Sequence, residues 1–175
     1  MIDAVQPIDS TRPVDERYDR VGVWLRRLAM CLLTAVVVVA LANVVGQRAA
    51  TAHAASSRAV IEVRAPTAVR PGLIFQAKIS ITARSVLPDA QLELSSGWVD
   101  GLTINTLEPS PSAETSGPDG SLRFDIGALQ PGQTWVQYVE YQVNPTSLSR
   151  RHQAITLLSD TQPVVTLNRT MTVVP

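Results

Sequence analysis

The chain has 175 residues, a formal net charge of zero and one cysteine, Cys31. That length holds one domain plus a targeting or anchoring segment. The lack of excess positive charge excludes a sequence-independent nucleic-acid binder, which must displace counterions from phosphates. Because Cys31 lies inside an apolar run, the rest of the chain forms no internal disulfide and must be held by its own core.

Residues 1–20 are polar, carry Pro7 and Pro13, and balance acids against arginines, which predicts a disordered cytoplasmic tail. Residues 21–46 are predicted to form a transmembrane helix. Within them Leu28 to Val45 reads LAMCLLTAVVVVALANVV, with no charge. At ~1.5 Å per residue this stretch is about 27 Å long, close to the hydrocarbon thickness of a bilayer. A soluble core helix would show a polar stripe, whereas this run has only Thr34 and Asn43. Arg26 and Arg27 can snorkel to the headgroups and Trp24 suits the interfacial ring, so the membrane anchor is assigned to Trp24, Arg26, Arg27, Leu28 and Val45. Asn43, near the outer end, is a candidate hydrogen-bonding contact for a neighbouring helix; the plainer reading is that it reaches the interface.

Arg12, Arg17, Arg20, Arg26 and Arg27 precede the run, and Arg48, Arg58 and Arg64 follow it. This asymmetry predicts a cytoplasmic N-terminus and an extracytoplasmic C-terminal domain at the cell membrane. A rival reading is a cleaved signal peptide, since Ala50-Thr51-Ala52 and Ala52-His53-Ala54 both match the small-x-small pattern. Cleavage near Ala54 would release a soluble immunoglobulin-like adhesion protein. The length of the apolar run, the long preceding tail and Arg48 favour the uncleaved anchor.

Residues 47–57 are rich in Ala, Ser and Thr and read as a linker to a domain over 58–175. From there the apolar period is two. Phe75, Ala77, Ile79, Ile81 and Ala83 alternate with polar residues, as do Leu92 and Leu94, Leu102 and Ile104, and Leu122, Phe124 and Ile126. Val165, Leu167, Met171 and Val173 do the same, with Arg169 falling on the apolar face. Thr134 to Val143 carries Trp135, Val139, Tyr141 and Val143 on one face and Val136 and Tyr138 on the other, which predicts a central strand covered on both sides. Val60 to Arg64 and Ala154 to Leu158 complete the set. Turn signals such as Arg70-Pro71-Gly72, Leu87-Pro88-Asp89, Gln130-Pro131-Gly132 and Asp160 to Pro163 separate the runs. About eight strands at this spacing predict an all-β fold: an immunoglobulin-like antiparallel β-sandwich preceded by one transmembrane helix. Glu108 to Gly120 reads as a long polar loop.

The residues offer little chemistry. His53 falls in the linker and His152 in a polar loop after Arg150 and Arg151, with no G-x-S-x-G turn to supply a nucleophile. No H-x-x-x-H, C-x-x-C or D-x-D-x-D-G pattern is present. No catalytic, cofactor or metal site is expected, and the chain is read as a non-enzyme. Trp98 and Leu102 lie in a glycine-flanked turn; they are candidate partner contacts if exposed, or packing over the end of the sandwich if not.

Gly127 to Gln133, ahead of the Thr134 strand, resembles the G-x-L-x-P-G-Q turn of bacterial immunoglobulin-like surface domains. More broadly, Arg26-Arg27, Arg70 to Leu73, Glu108 to Thr115 and the ending Val173 to Pro175 resemble uncharacterised single-pass membrane proteins of high-GC Gram-positive bacteria with an extracytoplasmic immunoglobulin-like domain. The resemblance implies no activity. It implies a bilayer and a membrane or envelope protein as partners, a YetF-like membrane protein among them.

Overall fold

The computed structural model describes residues 16–41, 47–117 and 119–174. The chain divides into two compact units, Met1–Val45 and Gly46–Pro175. The first contains helix α1, Glu16–Leu41. It starts inside the segment expected to be tail, and the section Val21–Leu41 has a mean hydropathy of 2.0 with none of its side chains buried. Asn43 and Val45, assigned above to the outer end of the anchor, lie outside the described residues.

The second unit is a two-layer β-sandwich. One sheet runs in the order β1-β2-β4-β9-β6 and the other β3-β11-β10-β5-β8-β7. The strands of the first are β1 (Ala49–Ala55), β2 (Ala59–Pro66), β4 (Ile74–Ala83), β6 (Leu102–Glu108) and β9 (Thr134–Val143). Those of the second are β3 (Ala68–Val69), β5 (Leu87–Leu94), β7 (Glu114–Ser116), β8 (Leu122–Leu129), β10 (Arg150–Ser159) and β11 (Gln162–Val173). All pairings are antiparallel except the short parallel contact of β3 with β11. The chain repeatedly changes sheet, from β4 to β5, β5 to β6, β8 to β9 and β9 to β10. Each strand can therefore be apolar on one face and wet on the other. On β4 the five residues Phe75, Ala77, Ile79, Ile81 and Ala83 are all buried, as their alternation predicts. They join Ile61, Val139 and Tyr141 of the same sheet and Leu92, Phe124, Leu157 and Leu167 of the other in one core.

Four expectations are corrected. The linker over 47–57 is largely strand β1, which pairs with β2 without a break from Ala49↔Pro66 to Ala55↔Val60. Its part-buried Ala52 and Ala54 pack against the core, so the domain begins before residue 58. The loop after Glu108 contains β7, ordered by pairing with β8. Leu87-Pro88-Asp89 is the irregular start of β5 and not a turn; two register shifts accommodate a proline that cannot donate to the ladder. Lastly, β9 is interior to its sheet but covered on one face only: Val139, Tyr141 and Val143 are buried, while Tyr138 opposite is 38% exposed.

Two turns carry unusual backbone demands. In the β10–β11 hairpin, Ser159 pairs with Gln162, leaving Asp160 and Thr161 as a two-residue loop. Both have positive φ, 51° and 65°. A turn of this twist suits the strands, but a β-branched threonine is costly there. Replacing Thr161 with glycine should raise unfolding free energy by about 0.5–1 kcal/mol, the relieved strain exceeding glycine's extra chain entropy; urea unfolding measures it. At Gly97 the constraint is space: a Cβ would lie 1.9 Å from the His152 carbonyl oxygen. Gly97→Ala should destabilise the domain by about 1–3 kcal/mol, as overpacking against backbone does, and lower the melting midpoint in the same assay.

Candidate interaction surfaces

Helix α1 exposes every side chain described on it from residue 21 to residue 41. Trp24 and Leu28 are each 69% exposed. The Arg27 guanidinium sits 5.7 Å from the centre of the Trp24 ring, so the two residues share one side of the helix. The Thr34 hydroxyl donates to the Met30 carbonyl at 2.8 Å. That internal bond lets an apolar surface carry a hydroxyl with no outside partner. Cys31 is a free, exposed thiol on the same helix.

Trp98 and Leu102 are not surface residues. Trp98 ends a single 3-10 turn, Ser96–Trp98, and is fully buried; Leu102 is 7% exposed. The cause is the docking of that turn on β10. Ser95 exchanges bonds with Ala154, its N–H donating to the Ala154 carbonyl at 3.0 Å and its hydroxyl accepting from the Ala154 N–H at 2.9 Å. Gln153 Nε2 donates to the Gly97 carbonyl at 3.3 Å. Held there, the indole points inward, 5.8 Å from the Tyr141 ring, which in turn stacks on Phe75 at 5.2 Å. Arg169 closes this end. Its guanidinium lies 5.5 Å from the Trp98 ring centre and Nη2 donates to the carbonyls of Ala65 and Pro66. Burial lowers the Arg169 pKa below the ordinary arginine value and raises that of the Tyr141 hydroxyl above the ordinary phenol value. The apolar-face position of Arg169, odd in the sequence, is thus a cation laid across an aromatic ring.

The exposed face with mixed chemistry is the outside of the five-stranded sheet. There Tyr138 pairs in register with Lys78 on β4 and with Glu108 on β6. Lys78 Nζ is 5.8 Å from the tyrosine ring centre. Gln76, Glu108, Pro109, Val136 and Tyr138 line an open cleft of about 540 Å³. One wall is fixed from within, because buried Gln137 donates through Nε2 to the Pro109 carbonyl at 2.9 Å. A cation, an aromatic face and a carboxylate in one row can bind and orient a polar partner. They do not form a nucleophile–base pair. The alternation in Thr134 to Val143 placed Tyr138 on the face opposite Val139 and Tyr141 but expected that face to be covered; it also lacked the pairing that sets Lys78 and Glu108 beside it.

Apart from the Arg123–Glu93 ion pair, the remaining titratable groups among the described residues form no catalytic cluster. His53 on β1 and His152 on β10 are both exposed and belong to different sheets. The segment from Arg150, expected as loop, is the start of β10, and Arg151 bonds the Ser147 hydroxyl. Hydrogen bonds from the Ser121 hydroxyl and N–H hold the Asp119 carboxyl below its ordinary value, in an exposed turn. No group of three or more metal-binding side chains occurs among the described residues.

No protein-family model matches the chain, and no curated protein matches it. Among solved structures it is similar to a chain of the CaDoc0917–CaCohA2 complex at pH 5.5, at 13% identity and a TM-score of 0.38, covering 61% of this chain and 94% of that one. It is also similar to a family 123 glycoside hydrolase from Clostridium perfringens, at 12% identity and a TM-score of 0.38 over 61% of this chain. The chain spans 22% of that hydrolase chain.

The two tryptophan- and tyrosine-bearing surfaces separate cleanly by mutation. Trp98→Ala should cost about 3–5 kcal/mol of unfolding free energy, as a fully buried aromatic does. Tyr138→Ala, at a part-exposed position on an interior strand, should cost only about 1 kcal/mol. Urea denaturation of both variants checks the contrast.

Proposed function

We propose that this protein is a membrane-anchored interaction module, with α1 crossing the cell membrane, its N-terminus cytoplasmic and its β-sandwich displayed outside. The observation that carries the reading is the apolar helix, 21 residues from Val21 to Leu41, with none of it buried. Apolar surface on that scale is unfavourable in water and favourable in hydrocarbon. The arginine excess on its N-terminal side supports the orientation.

Strand β1 favours an anchor over a cleaved signal. Both small-x-small sequences fall within Ala49–Ala55, a strand paired along its whole length. Cleavage after Ala54 would strip the first sheet of an outer strand and uncover the β2 edge. In the uncut chain that strand stays in place, and the helix and the sandwich remain one molecule.

The module binds and does not catalyse. Its recognition surface is the row Lys78, Tyr138 and Glu108 with the adjoining cleft, and its partner is an integral membrane or envelope protein. The resemblance described above makes a YetF-like membrane protein one such partner. Membrane fractionation with N-terminal sequencing, combined with protease treatment of intact cells, tests the reading. The expected result is an uncut N-terminus in the membrane fraction and a β-domain digested from outside. A new N-terminus at His53 or Ala55 in the soluble fraction would replace the tether with a secreted adhesion protein.

A further inference from the structure

A sandwich of two open sheets has four edges, and each offers unpaired backbone N–H and C=O groups that natural proteins usually blunt. Three are blunted here. β3 is two residues long and β7 three. β6 is longer, but its pairing with β9 shifts register between Ile104 and Thr106, a bulge that twists the edge away. The fourth, β1, has none of these devices. It runs seven residues without a register shift, contains no proline and bears no Asp, Glu, Lys or Arg. Five of its seven side chains are alanine, so a neighbouring backbone can approach along most of its length. Its sequence is also too weakly apolar for indiscriminate aggregation.

We propose that the free edge of β1 pairs with the same edge of a second copy of this chain, antiparallel about Ala52, fusing two five-stranded sheets into one. The strand is self-complementary in this arrangement. Ala49 meets Ala55 of the other copy, and exposed Thr51 meets exposed His53, so no two like charges face each other. Ala52 and Ala54 remain turned to their own core. One seven-residue strand pair is a small interface, below the ~1,000 Å² of a stable complex in dilute solution. The pairing therefore rests on the anchor reading: confinement of both copies to one bilayer supplies the effective concentration.

The test uses the full chain with Cys31→Ser, labelled separately with donor and acceptor fluorophores at a C-terminal tag and reconstituted in phosphatidylcholine vesicles. Energy transfer above that of a non-associating membrane control is expected for the parent chain. T51K/H53K places lysine opposite lysine twice and should reduce transfer to the control level, as should T51E/H53E. Mixing the two variants should restore it, which neither misfolding nor a helix-driven dimer would do. Both positions are exposed, so circular dichroism should match the parent. Transfer at the control level in the parent, or unchanged transfer in T51K/H53K, overturns the proposal. Failure of the chain to partition into vesicles overturns the anchor reading instead.

Discussion

The burial of one sheet face against another carries the β-sandwich unit, since no disulfide or metal cluster joins its described strands. Ile61, Ile79, Val139 and Tyr141 from one layer meet Leu92, Phe124, Leu157 and Leu167 from the other. A fully buried side chain of this kind contributes roughly 1.5–3 kcal/mol. Two long polar side chains are restrained at this core, while the Tyr141 hydroxyl and the Trp98 indole N–H are buried without a hydrogen-bond partner among the described residues. Gln137 is tied to the Pro109 carbonyl, and Arg169 lies over Trp98 while bonding two carbonyls at the sandwich end. The ion pair Arg123–Glu93, at 2.8 Å, sits on a part-exposed face and adds little beside the apolar contacts.

That dependence shapes what the surface can do. A strand whose inner face is committed to the core is free to vary its outer face, which is how β9 holds Tyr141 in the interior and offers Tyr138 to solvent. The helix obeys the opposite rule: from Leu28 to Leu41 it commits no face to a protein core and is apolar all round, apart from a threonine bonded to its own backbone. One chain thus carries two kinds of patterning, alternation in the sandwich and unbroken apolarity in the helix.

Much of this was legible because alternation reports burial directly. The inward residues of β4 and those of β8 at Leu122 and Phe124 lie where period two puts them. The alanine-rich β1 was not legible, because Ala-Ala-Thr-Ala-His-Ala-Ala has no apolar–polar contrast and its strand state comes from the partner β2. Trp98 was ambiguous for a related reason. Its direction depends on Gly97 fitting against His152, a contact between residues far apart in sequence. The cleft beside Tyr138 required the register of three strands, and single-strand periodicity is silent about register.

The sheet order has a consequence for biogenesis. β4 ends at Ala83 and its neighbour β9 begins at Thr134, so about fifty residues must be made before the first sheet can close, a non-local topology that folds slowly. A chain synthesised from its N-terminal end would hold β1, β2 and β4 as an open-edged partial sheet throughout that interval. The inner face of that partial sheet stays uncovered longer still, because β10 and β11 of the facing sheet follow Val143.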